Sequence, residues 1–221
     1  MSLTRWMGAT TLAATFMLTP QADAQDRPAI PGYAYGQATL AKAPYTMQEL
    51  KSLEKALLFT DEDVRYLRMS KAILADQTDA ILDVWYGFVA STPELVVYFR
   101  NNKTGKPDAA YLEAVRKRFA QWILDTASAN YDQAWLDYQY EIGLRHTSPK
   151  KNSTDHADSV PLVHFRYIPA LTIPVTTTLK PFLAKKGASA EDVEKMQAAW
   201  VKSVLMQTIL WSYPYVRDGS F

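Results

Sequence analysis

Apolar residues recur at helical spacing along most of this chain, and strict two-residue alternation is missing, so the pattern predicts helices throughout. Between Asp61 and Ala90, the residues Leu67, Ile73, Leu74, Ile81, Leu82, Val84, Trp85 and Phe88 recur at helical intervals with charges between them. Ala109 to Ala127 repeats the pattern with Leu112, Val115, Phe119, Trp122 and Ile123, and Asn130 to His146 forms a further helix closed by the polar stretch Thr147 to Thr154. Start signals agree with these spans. Thr46 with Glu49 is a capping box opening a helix to about Leu57, Thr60-Asp61-Glu62-Asp63 opens the next, and Ser189-Ala190-Glu191-Asp192 opens a last one reaching about Tyr213, where Pro214 ends it. Ser91-Thr92-Pro93 closes one run and starts a short helix through Phe99, and Asn101 to Pro107 is a polar turn. Ser159 to Leu183 is helical but interrupted by Pro161, Pro169 and Pro174, each of which removes a backbone donor, and Lys185-Lys186-Gly187 stops it. The expected architecture is all-α, with roughly eight helices joined by short turns.

Composition narrows what such a fold can do. The 221 residues suit one domain, and 48% apolar against 21% charged residues suits a well-packed globule. Charge is balanced, with 24 Lys and Arg against 23 Asp and Glu and no basic block, so no nucleic-acid partner is expected. Cysteine is absent. Disulfides, thiolate metal sites, iron–sulfur clusters and Cys-x-x-Cys-His haem attachment are therefore excluded. The sequence has no Gly-x-Ser-x-Gly elbow, no phosphate-cradling glycine loop and no paired catalytic carboxylates, which leaves ordinary hydrolase chemistry without support. The 6 Trp, 13 Tyr and 8 Phe suit a pocket for a large flat ligand as well as a rich core.

The first residues read as an export signal. Arg5 is a short basic region, Trp6 to Leu18 a mostly apolar run, and Ala22-Asp23-Ala24 a cleavage site before Gln25. The run is too short for a comfortable membrane span. The expectation is a signal peptide at residues 1–24, a mature domain at 25–221, a periplasmic or secreted location with the cytoplasm as the alternative, and no stable membrane span after cleavage. Gln25 to Pro44 has the Pro, Gly and Tyr content of a loop lying against the domain.

Three histidines are available as metal ligands. Trp135, Tyr138, Ile142 and His146 share one helical face, which brings an imidazole to the inner end of an apolar stripe. That placement fits an iron ligand and equally fits a satisfied interfacial histidine. His156 lies among Asp155, Asp158 and Ser153 in a solvated loop, and the direction of His164 is unsettled by neighbouring prolines. No pair has the spacing of a zinc helix. Trp85 and Tyr86 diverge by about 100° on their helix, so each borders a shared cavity on its own edge or packs as core.

Four runs, Trp85-Tyr86-Gly87-Phe88-Val89, Ala114-Val115-Arg116-Lys117-Arg118-Phe119, Asn130 through His146, and Trp211-Ser212-Tyr213-Pro214-Tyr215-Val216, resemble those of protoglobins, the single-domain relatives of globin-coupled sensors. The resemblance covers about Ile30 to Phe221. It implies a globin fold with an additional N-terminal helix and a covering N-terminal loop, and haem b with His146 as the axial iron ligand. It implies that Trp85, Tyr86 and Phe119 are the aromatics of the ligand side, that Val115 is a pocket contact, and that Arg118 lies near a haem propionate. Leu171 and Val175 stand over the haem where relatives carry bulkier apolar residues.

The implied function is reversible binding of O2, CO or NO, with Tyr86 donating to bound O2. A homodimer built on the last two long helices, about Ser159–Leu183 and Ala190–Tyr213, is also implied. The alternatives are a haem enzyme scavenging NO, nitrite or peroxide with an external electron donor, a gas sensor acting through a separate partner, and a helical interaction protein without cofactor. Ligand binding is favoured over a dedicated enzyme.

Overall fold

The computed structural model describes residues 29–216 and 219–221; the expected export signal at 1–24 lies outside the described residues. Among the described residues ten helices follow in order: α1 (Met47–Ala56), α2 (Asp61–Leu74), α3 (Thr78–Ala90), α4 (Pro93–Val96), α5 (Ala109–Ser128), α6 (Gln133–Leu144), α7 (Tyr167–Ala170), α8 (Thr172–Thr177), α9 (Lys180–Leu183) and α10 (Ala190–Trp211). Short 3-10 turns follow α4 at Val97–Phe99 and α10 at Tyr213–Tyr215. Among the described residues there is no sheet, only an isolated bridge between Arg100 and Pro107.

The predicted caps are in place. Thr46 Oγ1 accepts from Glu49 N at 3.2 Å while the Glu49 carboxylate accepts from Thr46 N at 2.6 Å, satisfying two free donors at the start of α1. Ser189 caps α10 in the expected way, while two unpredicted caps, Asp108 and Asp132, start α5 and α6, so α6 begins at Gln133 rather than Asn130.

Two expectations are corrected. The run from Asp61 to Ala90 is not one helix but α2 and α3, separated by residues 75–77. In an unbroken helix Gln77 N would bond to Ile73 O. Instead Gln77 N donates to Leu74 O at 2.9 Å, and the Gln77 side-chain amide donates to Ile73 O at 2.6 Å and to Phe182 O at 3.4 Å. The chain turns because the amide replaces the missing backbone donor and ties the corner to α9. Between Ser159 and Leu183 the chain makes no long helix: it stays irregular to Arg166 and then forms only α7, α8 and α9. Pro169, Pro174 and Pro181 each fall in the first turn of α7, α8 and α9, where the missing N–H costs the new helix nothing but leaves no bond back to the residue four before it, so no helix runs on from one segment into the next.

The central element is α10, which packs against α2, α6, α8 and α9, while α2 also packs on α5. Three indole N–H groups fix its rotation: Trp200 to Ser70 Oγ at 3.0 Å, Trp122 to Gln207 Oε1 at 2.7 Å and Trp211 to Gln139 Oε1 at 2.8 Å. Each is a buried or half-buried donor with one defined acceptor, so sliding α10 along its neighbours would strand all three. The crossing of α6 and α10 is close at Gly143, where an added Cβ would stand 3.0 Å from Trp211 O. Residues 29–45 form a strap over α5 and α6. Tyr33 and Tyr35 meet Tyr138 edge-on at 5.4 and 5.6 Å, Tyr33 Oη donates to Asp125 at 2.8 Å, and Lys42 and Ala43 N donate to Asp137. The strap and α1 supply the N-terminal additions expected ahead of the main helices.

Candidate functional site

A cavity of about 260 Å3 lies between α3, α5, α6, α8, α10 and the irregular segment 147–166. Its lining is largely apolar and aromatic. Trp85 and Val89 come from α3, Val115, Phe119 and Trp122 from α5, Leu171 and Val175 from the α7–α8 region, and Ile142, Val204 and Trp211 from α6 and α10. Of the predicted site residues, His146, Trp85, Val115, Arg118, Phe119, Leu171 and Val175 all line this one space.

His146 lies just past the end of α6, next to its cap residue Arg145. Its Nδ1 is 2.8 Å from Ile142 O, and since a carbonyl only accepts, Nδ1 carries the proton. Desolvation holds the imidazole below its usual pKa, so the ring is neutral and Nε2 keeps its lone pair. Trp211 stacks on the imidazole at 5.9 Å with 20° between planes. The His146 carbonyl accepts from Val163 N at 2.9 Å and from Tyr215 Oη at 3.1 Å. Ring and backbone are both held, so a ligand on Nε2 would meet a preset orientation.

Trp85, Phe119 and Trp122 form a chain of edge-on contacts, Trp85 to Phe119 at 4.9 Å and Phe119 to Trp122 at 5.4 Å. Tyr86 is not among the lining side chains. Its ring stands edge-on to Trp85 at 5.1 Å and to Phe99 at 6.3 Å, one ring removed from the cavity. Its position is the consequence of the helical divergence from Trp85. Both Tyr86 Oη and Trp85 Nε1 are buried without a hydrogen-bond partner, which leaves two donors unspent beside the aromatic end of the cavity.

One edge of the cavity is charged: Arg118, Arg145 and Lys151 line it together with the single carboxylate of Asp155. Arg118 makes a fork with both Asp155 oxygens and also donates to Pro31 O at 2.9 Å. Arg145 pairs with Glu141 at 2.9 Å and donates to Gly32 O at 2.6 Å. The two arginines thus bind the strap to the cavity edge. Gly32 takes φ +73°, and a Cβ there would stand 2.7 Å from both Arg118 Nη1 and Thr154 Cγ2. Lys151 is 3% exposed and donates to Tyr98 O at 3.0 Å; burial pushes its amine down to about 8.

Sequence reasoning missed Lys151, Tyr98 and Trp211 as lining residues. Lys151 sits in a polar stretch that reads as solvent-facing, and only the path of residues 147–166 turns it inward. His156 is exposed, as the loop composition predicted.

A family model described as Protoglobin matches residues 46–221. The chain belongs to the protoglobin family. Among solved structures, the globin domain of a Geobacter sulfurreducens globin-coupled sensor is similar at 16% identity and TM-score 0.59, over 78% of this chain and 99% of that one. No curated protein matches. The protoglobin match begins at Thr46, the cap of α1, so the strap lies ahead of it.

The haem b expected from the resemblance can be tested on the residues present. Among the described residues, no group of three or more His, Asp or Glu side chains could hold a bare ion. A single imidazole with a free Nε2 instead suits a metal whose remaining in-plane ligands come from a macrocycle. The flat aromatic lining suits the ring, and the cationic edge suits two carboxylates. The donor set therefore fits haem better than it fits an isolated metal.

Proposed function

We propose that this protein binds haem b and, through it, reversibly binds a diatomic gas: O2, CO or NO. The observation that carries this reading is His146, neutral in the cavity, with Nδ1–H committed to Ile142 O and the Nε2 lone pair left free to ligate iron. Arg118, Arg145 and Lys151 would hold the propionates at the charged edge, Arg118 exchanging Asp155 for a ligand carboxylate. Val115, Phe119, Leu171 and Val175 would pack on the ring. Haem would supply an iron with one position open to gas. A gas that acquired negative charge when bound would call for a hydrogen-bond donor, and the Trp85 indole N–H and the Tyr86 hydroxyl, buried without partners beside the aromatic wall, are the two donors that could turn toward it.

The function beyond gas binding is proposed as carriage or scavenging with an external electron donor, since the reading supplies no second cofactor. Export to the periplasm or beyond is proposed from the composition of residues 1–24 alone. A homodimer is proposed through α10, supported by Ala198, Val201 and Leu205, which recur on one helical face and are exposed; Val201 is 44% and Leu205 38% exposed.

The test is the visible absorption spectrum of the purified protein, wild type beside His146→Ala, with haem supplied during expression. A Soret band that shifts on CO addition, and is altered or lost in the variant, is the expected result. No Soret band in the wild type, or an unchanged ferrous spectrum in the variant without added imidazole, overturns the reading.

A further inference from the structure

Three tyrosines line the cavity: Tyr98, Tyr111 and Tyr138. Of these, Tyr98 alone has an imidazole on its hydroxyl, with Oη 2.7 Å from His164 Nδ1. The backbone N–H of His164 also donates to Tyr98 Oη at 3.3 Å, so the phenol accepts from the chain and is free to give its own proton to Nδ1. Tyr98 is 5% exposed, whereas His164 is on the surface. The Tyr98 backbone is fixed by Lys151 Nζ and Ser159 Oγ, which donate to its carbonyl at 3.0 and 3.1 Å. The pair therefore spans from cavity wall to solvent in one hydrogen bond. Tyr111 and Tyr138 lack such a base, and burial pushes their phenols up to about 12.

A phenol gives up an electron readily only when its proton leaves at the same time, because the cation radical that otherwise forms is a strong acid. We propose that Tyr98 and His164 form a proton-coupled electron relay, through which a hydroperoxide bound in the cavity is reduced by a small surface donor of the phenol or ascorbate class. This rests on the haem reading above, since haem supplies the centre at which the O–O bond is cleaved. In each step Tyr98 would give up one electron to the oxidised haem while its phenolic proton passes to His164 Nδ1. The donor AH then returns one electron to the Tyr98 radical, His164 returns the proton, and AH leaves as a radical, its own proton passing through solvent to the peroxide oxygen that leaves as water. Two such steps convert ROOH and two AH into ROH, water and two donor radicals. Phe165, 46% exposed beside His164, gives a small aromatic donor an apolar surface to rest on.

The test uses the full chain loaded with haem, loading being read from the Soret band. The protein is freeze-quenched after mixing with hydrogen peroxide and examined by electron paramagnetic resonance, with ring-deuterated tyrosine to identify the radical. A tyrosyl signal is expected in the wild type, lost in Tyr98→Phe, and formed at least roughly 100-fold more slowly in His164→Phe, the low end of what a positioned base contributes. The surface substitution His164→Phe decides the matter even if Tyr98→Phe fails to fold. A second readout needs no peroxide: nitrogen NMR of His164 should show Nδ1 unprotonated and hydrogen-bonded, with a shift in Tyr98→Phe. A Soret band without a tyrosyl signal, a signal of wild-type intensity in Tyr98→Phe, a wild-type rate in His164→Phe, or a protonated Nδ1 overturns the relay alone. Absence of the Soret band overturns the haem reading and the relay with it.

Discussion

Gly143→Ala isolates the contact that sets the position of His146. In a helix this substitution ordinarily stabilises by about 1 kcal/mol, because alanine loses less backbone entropy than glycine. At Gly143 the added Cβ would stand 3.0 Å from Trp211 O, 3.1 Å from Trp211 Cα and 3.4 Å from Pro214 Cδ. Two of these atoms are backbone at the last residue of α10 and cannot rotate aside. Relief requires the end of α10 to move, and with it the Trp211 ring that stacks on His146. Overpacking of this kind costs about 1–3 kcal/mol. Collision therefore outweighs propensity, and a net loss of about 1 kcal/mol should lower Tm by about 2–4 °C in a chain of this size. Gly87→Ala is the control: it is also helical, but nothing lies within 4 Å of the added Cβ. There the propensity term stands alone and Tm should rise by a similar amount. Thermal unfolding followed by circular dichroism reads both variants. Equal stabilisation by the two alanines would refute the close approach of α6 and α10.

At Gly32, alanine meets both a φ of +73° and two contacts at 2.7 Å, so Gly32→Ala should release the strap, seen as faster proteolytic cleavage within residues 29–45 while cleavage elsewhere is unchanged. In the haem-free protein Asp155→Ala removes the carboxylate from a half-buried Arg118, and urea unfolding should show a loss of about 1–3 kcal/mol, the range for leaving a hydrogen-bonding group without its partner. Lys151 has a folded pKa of about 8 against an ordinary 10.5, so between those values the unfolded chain binds more protons and this group's contribution to stability rises with pH. The stability difference between Lys151→Met and wild type should accordingly favour the variant below pH 8 and shrink toward pH 10, measured by urea unfolding across that range; a pH-independent difference would refute the lowered pKa.

Most helix starts were legible because their signals are local. Thr46 with Glu49, Thr60 with Asp63 and Ser189 with Asp192 act within one turn, so the residues that cause the start also mark it in the sequence. The α2–α3 corner was not legible. Its apolar spacing continues without interruption, and the break depends on a Gln77 amide that reaches Phe182, more than a hundred residues away. The site divides in the same way. The apolar face ending in His146 follows from helical periodicity, whereas the commitment of Nδ1 to Ile142 O and the stacking of Trp211 require the helix end and the α6–α10 crossing.

By itself the sequence determined the all-α class, the main helix caps and the family resemblance, because periodicity, capping and long ordered runs are properties of neighbouring positions. Tertiary structure alone decided which side chains face that cavity. Adjacent Trp85 and Tyr86 share their composition and their helix, yet only Trp85 lines the space. Lys151, polar and in a polar stretch, is buried in the wall, and Tyr98 is brought to His164 across 66 positions. These placements depend on the path of an irregular segment whose own residues fix no repeating geometry. Its course is set by long-range anchors such as Val163 N on His146 O and Lys151 Nζ on Tyr98 O, which no local pattern records.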